Sequence, residues 1–262
     1  MSMQKHDFDA EVEVLRLEGV GKSFGGLKIL QDLSFSVKQG ERRAFIGPNG
    51  AGKSTLFNII AGDLEPSAGE VVYFSEKITG MPNFGRVRNG LVRTFQRNNL
   101  LNELTVMENL LLALQVKEGV EHIWFRPRER RYFAKMYDRA EELLETWGLY
   151  DRRNSRVKQL SYGEQRQAEI LLGIAMEPKV LLLDEPTAGM SNKETQYILD
   201  LLQRLPKDLT LLIIEHDMEV VFGVAEKVTV LHNGGILLEG DPQIIRNDPR
   251  VYEIYFGEDG VL

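Results

Sequence analysis

The residue types and spacing that point most clearly to chemistry lie in a glycine-rich stretch between positions 47 and 55. The stretch fits the pattern G-x-x-x-x-G-K-[ST], in which a loop presents backbone N–H groups and a lysine to polyphosphate. Its residues are Gly47, Pro48, Asn49, Gly50, Ala51, Gly52, Lys53, Ser54 and Thr55. With glycine at about 7% of residues, a chain of this length should match by accident only on the order of 1% of the time. The chain is therefore predicted to bind a nucleotide.

The flanking segments place this loop where phosphate binding needs it. Apolar residues 44–46 predict a buried strand and residues 54–60 predict a helix, so the loop leads into a helix N-terminus. The Lys53 ammonium adds a charge for the β- and γ-phosphates, worth about 4 kcal/mol at ~4 Å and an effective dielectric of ~20 before desolvation. The Ser54 hydroxyl is a candidate ligand for Mg²⁺.

Two adjacent carboxylates follow a second apolar run. Residues 180–183 predict a buried strand, and Asp184 and Glu185 come directly after it, followed by Pro186. Ligands of α/β sheets bind beyond the carboxyl ends of strands. Asp184 can therefore hold Mg²⁺, and Glu185 can orient or deprotonate an attacking water. An acidic surface turn is an equal alternative for the pair alone, and the phosphate loop in the same chain favours the functional interpretation.

A histidine follows another strand in the same manner. His216 lies just beyond the apolar run 209–214, where it can reach the γ-phosphate and position the attacking water. A lone histidine is more often structural, and its place after a core strand favours the functional role. Gln96 can reach both Mg²⁺ and water with its amide, although a lone glutamine carries almost no signal.

Residues 160–166, Leu-Ser-Tyr-Gly-Glu-Gln-Arg, predict the start of another amphipathic helix. Ser161 makes a good N-cap, and that is a sufficient structural explanation. The sharper hypothesis is that this helix N-terminus donates N–H groups and a hydroxyl to a phosphate. Because the segment is far in sequence from the phosphate loop, it can serve a different nucleotide.

Composition narrows the class of protein. The chain has 262 residues, 43% hydrophobic and 27% charged, which suits one large globular domain or two small ones. The net charge of −7 argues against a whole-molecule preference for nucleic acid. The lack of cysteine excludes disulfides, thiolate metal sites and thiol catalysis. No run approaches the ~20 apolar residues of a membrane span, and residues 1–13 do not resemble a secretory signal, so any membrane association is expected to be peripheral.

Periodicity predicts the elements that position these groups. Alternation predicts antiparallel strands at 12–20 and 29–37 around the Gly25-Gly26 turn, and residues 69–74 are a further strand candidate. Three- and four-residue spacing predicts helices at 106–116, 130–147 and 164–176. Residues 228–239 predict a hairpin with a glycine turn. A parallel core is thus expected to be interrupted by a helical insertion of roughly 80 residues.

The order of these motifs resembles that of the ATP-binding subunit of ABC transporters, and the resemblance covers nearly the whole chain. It implies an α/β fold of the P-loop NTPase, ABC ATPase type, with a mostly parallel core sheet, an N-terminal antiparallel β subdomain and an inserted α-helical subdomain. The implied single domain divides into a nucleotide-binding core, residues 1–97 and 178–262, and a helical subdomain, residues 98–177.

The resemblance also implies ATP hydrolysis with ATP and Mg²⁺ bound, coupled to transport. Two subunits would pack head to tail, and ATP on one loop would be capped by Ser161, Gly163 and Glu164 of the other. Phe24 matches the aromatic residue that stacks on adenine, with a core phenylalanine as an equal alternative. The remaining matches are Gln96 to the Q-loop, Asp184 to the metal-binding acid, Glu185 to the catalytic base and His216 to the switch histidine.

Partners are implied in the same way. They are transmembrane permease subunits docked on the helical insertion, a second ATPase subunit that is identical or a paralogue, and indirectly a solute-binding protein, with no nucleic acid. The subunit would lie peripherally at the cytoplasmic face of the inner or plasma membrane. A soluble ABC ATPase acting on nucleic acid or ribosomes is a rival, but this chain has no zinc cysteines, long coiled-coil arms or second nucleotide domain. A regulatory subunit with a dead site is disfavoured by the intact motifs.

Three departures from the family pattern help to identify the branch of the family that the chain resembles. The signature contains Tyr162 and Glu164 in place of the commoner glycine and glutamine. Ser191 stands where the D-loop usually has aspartate, which puts in doubt any contact that relies on a carboxylate there. The insertion is extended at 117–135. With the C-terminal residues 251–258, these features resemble the branched-chain amino acid transporter branch, and urea or amide importers and lipopolysaccharide-export ATPases are the alternatives.

An aromatic and basic segment at 124–133 leaves three interpretations open. Interleaved arginine and aromatic residues can contact nucleic acid. The same residues can meet a membrane subunit or lipid head groups. An amphipathic helix with a solvated basic face is the plainest of the three.

Overall fold

The structure is a computed structural model that describes residues 12–94, 100–119 and 130–256 of the chain. Its strands are β1 (Glu13–Phe24), β2 (Leu27–Lys38), β3 (Arg42–Ile46), β4 (Ala68–Tyr73), β5 (Glu76–Lys77), β6 (Leu91–Arg93), β7 (Val180–Asp184), β8 (Thr210–Ile214), β9 (Lys227–His232) and β10 (Gly235–Gly240). Its α-helices are α1 (Lys53–Ala61), α2 (Asn83–Arg88), α3 (Val106–Glu118), α4 (Arg130–Thr146), α5 (Tyr162–Ala175), α6 (Asn192–Gln203), α7 (Met218–Val224), α8 (Pro242–Arg246) and α9 (Pro249–Phe256). Over the described residues, none of these helices has the length and apolar character needed to cross a bilayer.

The strands form two sheets. The four-stranded sheet has the order β2-β1-β4-β5 and is antiparallel throughout. The six-stranded sheet has the order β10-β9-β3-β8-β7-β6, in which all neighbours from β9 to β6 run parallel and β10 pairs antiparallel with β9. The predicted α/β architecture, with a mostly parallel core sheet and an antiparallel sheet from the N-terminal part of the chain, is confirmed.

The parallel strands lie in the interior of the protein. Every residue of β7 and β8 is buried, and so is every residue of β3 after the first. Short, continuous apolar runs are typical of strands covered on both faces, which is why the runs at 180–183 and 209–214 could be recognised in the sequence. The observed strands differ from those predictions by one residue at one end of each.

In β2 buried and exposed residues alternate along most of the strand, so one of its faces packs on the core. β1 and β2 are longer than predicted because pairing continues to the Gly25-Gly26 turn, where Gly25 adopts a φ of 58°. The predicted hairpin is confirmed as β9 and β10. Asn233 and Gly234 at its turn have φ values of 47° and 78°, as a two-residue hairpin turn requires.

The three helices predicted between the phosphate loop and the acid pair correspond to α3, α4 and α5, with ends that differ by at most two residues. Their apolar faces share one hydrophobic cluster with the parallel sheet; Leu110, Leu144 and Ile170 lie in it together with Leu181 and Leu183. The helical insertion is therefore packed directly on the sheet that carries the acid pair.

The far end of α1 is fixed by the buried side chain of Arg86, which is 1% exposed. Its guanidinium donates hydrogen bonds to the carbonyls of Ile59, Ile60, Ile78, Thr79 and Met81. Burial lowers the pKa of Arg86 to about 10, so the group remains charged at neutral pH. Carbonyls at a helix C-terminus need donors, and Arg86 supplies them while it holds α1 in place.

Candidate nucleotide site at the carboxyl edge of the parallel sheet

Three parallel strands end side by side at one edge of the six-stranded sheet. Phe45 of β3 pairs with Ile214 of β8, which in turn pairs with Asp184 of β7. The chain segments that leave this row are the phosphate loop after β3, Glu185 after β7 and His216 after β8. Because parallel strands point the same way, their carboxyl ends bring these segments to one place, the usual ligand position of α/β sheets.

The phosphate loop has the backbone conformation that its glycines permit. Gly47, Gly50 and Gly52 have φ values of 147°, 84° and 99°, a region that other residues rarely adopt. α1 begins at Lys53, its N-cap Gly52 offers no side chain to cap it, and no acidic residue lies in its first turn. The N–H groups at this helix end are therefore left for an anion, and the helix dipole favours negative charge there.

Lys53 is buried, with 6% of its surface exposed, and its ammonium lies inside the curve of the loop. The Nζ atom donates to the carbonyls of Gly47 at 2.7 Å and Pro48 at 3.0 Å. Burial lowers the pKa of Lys53, while the carboxylates of Glu185 and Asp184 act in the opposite direction. The structure thus brings the loop lysine and the acid pair together, as the sequence analysis predicted.

The acid after β7 and the histidine after β8 are in direct contact. The Nε2 atom of His216 lies 2.8 Å from the Oε1 atom of Glu185. Glu185 has a φ of 47°, unusual for a residue other than glycine, and its N–H donates to the carbonyl of Ile214 at 2.9 Å. A strained backbone at such a position is typical of functional sites. Both side chains remain partly exposed, which keeps them accessible to water and substrate.

Asp184 is almost fully buried, and its two carboxylate oxygens have different surroundings. Oδ2 accepts a hydrogen bond from Arg93 at 2.8 Å, whereas Oδ1 is buried and has no hydrogen-bond partner among the described residues. A buried carboxylate oxygen without a donor is costly, and a hard cation such as Mg²⁺ satisfies it. No group of three or more His, Asp or Glu side chains clusters in the described part of the chain. Mg²⁺ needs only one or two carboxylates besides phosphate and water, so these residues fit that metal.

Ser54 and Thr55 lie in the first turn of α1, Ser54 exposed and Thr55 half-buried. This places the Ser54 hydroxyl beside the loop, where a metal-bound phosphate would lie. Gln96, predicted as both a metal contact and a catalytic residue, lies outside the described residues. So does most of the aromatic and basic segment 124–133.

Glu215 has a structural role that was not predicted from the sequence. It is 3% exposed, and its Oε1 accepts hydrogen bonds from the backbone N–H and the hydroxyl of Thr187 at 3.0 and 2.6 Å. Its Oε2 accepts from the N–H of His216 at 3.0 Å. Glu215 therefore ties the segment after Glu185 to the segment that carries the histidine. The signal in the sequence that could have pointed to Glu215 is its position as a charged residue directly after a buried strand.

Arg166 is a second residue whose contacts sequence reasoning missed. It is 2% exposed, lies on α5 and pairs with Glu169 one turn away. Its guanidinium donates to the carbonyls of three consecutive residues, Asp184, Glu185 and Pro186. The helix that follows the Ser161 signature is thereby attached to the backbone of the acid pair.

The signature segment forms a complete capping box at the start of α5. The Ser161 hydroxyl accepts from the N–H of Glu164 at 3.2 Å, and the Glu164 carboxylate accepts from the N–H of Ser161 at 2.8 Å. Burial alone would raise the pKa of Glu164, but hydrogen bonds from the Ser161 backbone and from Arg152 lower it. Among the described residues, neither Ser161 nor Glu164 is hydrogen-bonded to the phosphate loop of its own chain. Ser161 and Tyr162 are exposed, whereas Gly163 is buried beneath the Glu194 carboxylate.

Two further positions are clarified by the structure. Phe24 ends β1 with 51% of its surface exposed, so the alternative of a core phenylalanine is wrong. The ammonium of Lys22 lies 5.1 Å from the centre of its ring. Ser191, at the D-loop position that usually holds aspartate, is the N-cap of α6 and forms a capping box with Glu194. An N-cap hydroxyl explains serine at this position.

We expect Gly47→Ala to disrupt the loop far more than Gly50→Ala. A Cβ at position 47 would lie 2.1 Å from the backbone carbonyl oxygen of Leu231, whereas a Cβ at position 50 would meet nothing within 4 Å. Gly50→Ala should lower the free energy of unfolding by only about 1 kcal/mol, the penalty for placing alanine in a left-handed backbone conformation. Gly47→Ala should add a clash worth about 3 kcal/mol. Denaturant unfolding of both variants checks this, and equal losses would contradict the loop geometry.

Comparison with known proteins agrees with this geometry. A family model described as ABC transporter matches residues 30–188. The branched-chain amino acid transport ATP-binding protein LivG of Salmonella typhimurium is 38% identical over 250 residues, 94% of this chain and 98% of LivG. The structure of MJ1267, an ATP-binding cassette of an ABC transporter, matches with a TM-score of 0.81 and 34% identity, covering 94% of this chain and 99% of MJ1267. The dimeric bacterial cassette MJ0796 matches with a TM-score of 0.75 and 27% identity over 87% of this chain and 98% of its own. The chain therefore belongs to the ABC transporter family and is one of its ATPase subunits.

Proposed function

We propose that this ATPase drives the import of branched-chain amino acids across a membrane. The observation that carries the proposal is the match to LivG, which extends over 94% of this chain and 98% of that protein. LivG is named for high-affinity branched-chain amino acid transport, and the likeness covers nearly the whole chain and not the phosphate loop alone. The features that pointed to this branch in the sequence, such as Tyr162 and Ser191, are compatible with the folded structure.

The reaction is phosphoryl transfer from ATP to water, in which positioning and charge stabilisation supply most of the acceleration. Glu185 orients the water and accepts its proton as the oxygen attacks the γ-phosphorus and the bond to the β-phosphate oxygen breaks. His216 contacts the Glu185 carboxylate through its Nε2 atom, and once the nucleotide is bound this nitrogen could donate to the γ-phosphate instead. Lys53 and the N–H groups of the loop stabilise the negative charge that moves toward the leaving group.

Mg²⁺ is the proposed metal. Asp184, Ser54 and Gln96 would hold it, and its charge would neutralise the phosphate oxygens. The support for this assignment is the buried, unpartnered Oδ1 of Asp184 and the position of Ser54 at the start of α1. The protein contribution is to keep these groups fixed before the nucleotide arrives.

A second protomer completes each nucleotide site in this proposal. The exposed start of α5 would bring Ser161, Gly163 and Glu164 to the ATP held by the partner's loop, while Phe24 stacks on the adenine of the same chain. The proposal is supported by the hydrogen bonds of Ser161 and Glu164, which do not reach the phosphate loop of their own chain. It is also supported by the dimeric state of the related cassette MJ0796. An identical chain and a paralogue both satisfy this arrangement.

Closure of the two protomers would be passed to transmembrane permease subunits. The helical subdomain, proposed as residues 98–177, is the part of the chain we assign to that contact, because it packs directly on the sheet that carries Asp184. The subunit would then lie at the cytoplasmic face of the membrane as a peripheral component. A solute-binding protein would meet the permease and not this chain.

Glu185→Gln should separate nucleotide binding from hydrolysis. An amide keeps the size of the side chain but cannot accept the proton of the attacking water, so turnover should fall about 100-fold or more. ATP affinity should be retained, and a closed dimer should accumulate in gel filtration with ATP. Glu219→Gln, an exposed position on α7, is the matched control and should hydrolyse ATP at the wild-type rate. If Glu185→Gln hydrolyses ATP at the wild-type rate, Glu185 is not the catalytic base.

The transported solute can be tested in proteoliposomes that contain the ATPase with the permease subunits that copurify with it. With the solute-binding protein and ATP present, we expect uptake of leucine, isoleucine and valine, and none with Lys53→Ala. Urea serves as the solute control. Uptake of urea in place of the amino acids would contradict the assigned cargo, and copurification with ribosomes or nucleic acid alone would contradict transport.

A further inference from the structure

The carboxylate of Asp184 is held on one side only. It lies at the end of β7, and its exposed fraction is 1%. Arg93, the last residue of β6, donates to Oδ2 through one guanidinium nitrogen at 2.8 Å. The strands β6 and β7 are parallel neighbours, so the two side chains meet across one step of the sheet. Oδ1 has no hydrogen-bond partner in the described part of the chain.

Arg93 is itself fixed by the element that carries the phosphate loop. Its second guanidinium nitrogen lies 2.5 Å from the Oδ1 atom of Asn58 on α1 and 3.3 Å from the Oδ2 atom of Asp63. The Arg93 side chain is only 6% exposed, so water screens these contacts weakly. The guanidinium therefore sets the distance between α1 and the carboxylate of Asp184.

The planar guanidinium can hold two partners at fixed directions, which an ammonium cannot do. A carboxylate that is hydrogen-bonded at one oxygen cannot rotate freely, so its other oxygen stays in one position. Groups that orient a metal ligand in this way contribute strongly to metal affinity.

We infer that Arg93 is a positioning residue for the metal: it holds Oδ2 of Asp184 and leaves Oδ1 as the oxygen that Mg²⁺ takes. This inference rests on the proposed Mg²⁺-dependent function. The plainer rival is a structural ion pair that stabilises the fold. The two accounts differ in one measurable quantity, the factor by which Mg²⁺ raises the affinity for nucleotide.

The test is calorimetric titration of the full chain with the non-hydrolysable analogue AMP-PNP, with Mg²⁺ and with EDTA. In Arg93→Gln the affinity in EDTA should stay near that of the wild type, and the gain from Mg²⁺ should fall about 10- to 100-fold. Arg93→Lys should lose part of the gain, since an ammonium keeps the charge but not both contacts. Arg139→Gln is the matched control, because it makes the same change at a partly exposed arginine of α4 whose ion pair is with Glu142; its gain should equal that of the wild type.

Each outcome decides the inference. Suppose that Arg93→Gln folds, melts at a lower temperature and keeps the full gain in AMP-PNP affinity from Mg²⁺. The ion pair is then structural, and the proposal is overturned. Where Arg93→Gln does not fold, Arg93→Lys takes its place, and an undiminished gain in that variant overturns the proposal equally. A wild-type chain that binds AMP-PNP equally in EDTA and in Mg²⁺ refutes the proposed metal itself, a result distinct from failure of Arg93 alone.

Discussion

The alignment of three buried strand ends is the constraint on which the site depends. Backbone pairing places Phe45, Ile214 and Asp184 in one row across β3, β8 and β7, and the functional segments begin at or immediately after that row. In-register parallel pairing therefore determines how far the phosphate loop lies from the acid and the histidine. The strands are held in this register because their side chains are buried on both faces, in the two hydrophobic clusters that enclose the sheet.

Charged side chains then connect this row to the elements around it. Arg93 links Asp184 to α1, and Arg166 links the carbonyls around Glu185 to α5. The helix α5 begins at the signature that we assign to the partner's nucleotide. Arg166 therefore connects that signature rigidly to the acid pair of this chain's own nucleotide site. Breaking a buried charge contact of this kind is costly, so these elements are expected to move together when the protomers close.

Much of the site could be predicted from the sequence, because its signals are local. The loop motif, the acid pair and His216 each follow a short apolar run, and the fold class followed from their order. Arg93 could not be found in this way, since β6 is only three residues long and shows no usable periodicity. The contacts of Arg166 join residues about twenty positions apart and depend on tertiary packing. The exposure of Phe24 likewise becomes visible only once β1 is paired.

The central claim is that each ATP is hydrolysed between the loop of one protomer and the signature of another. Mixing two inactive variants, Lys53→Ala and Ser161→Arg, tests it most directly by ATPase assay. Random pairing makes half of the dimers mixed, and each mixed dimer keeps one intact site of two, so activity should return to roughly a quarter of the wild-type value. If the mixture stays as inactive as its components while both variants remain folded and dimerise, the shared site is contradicted.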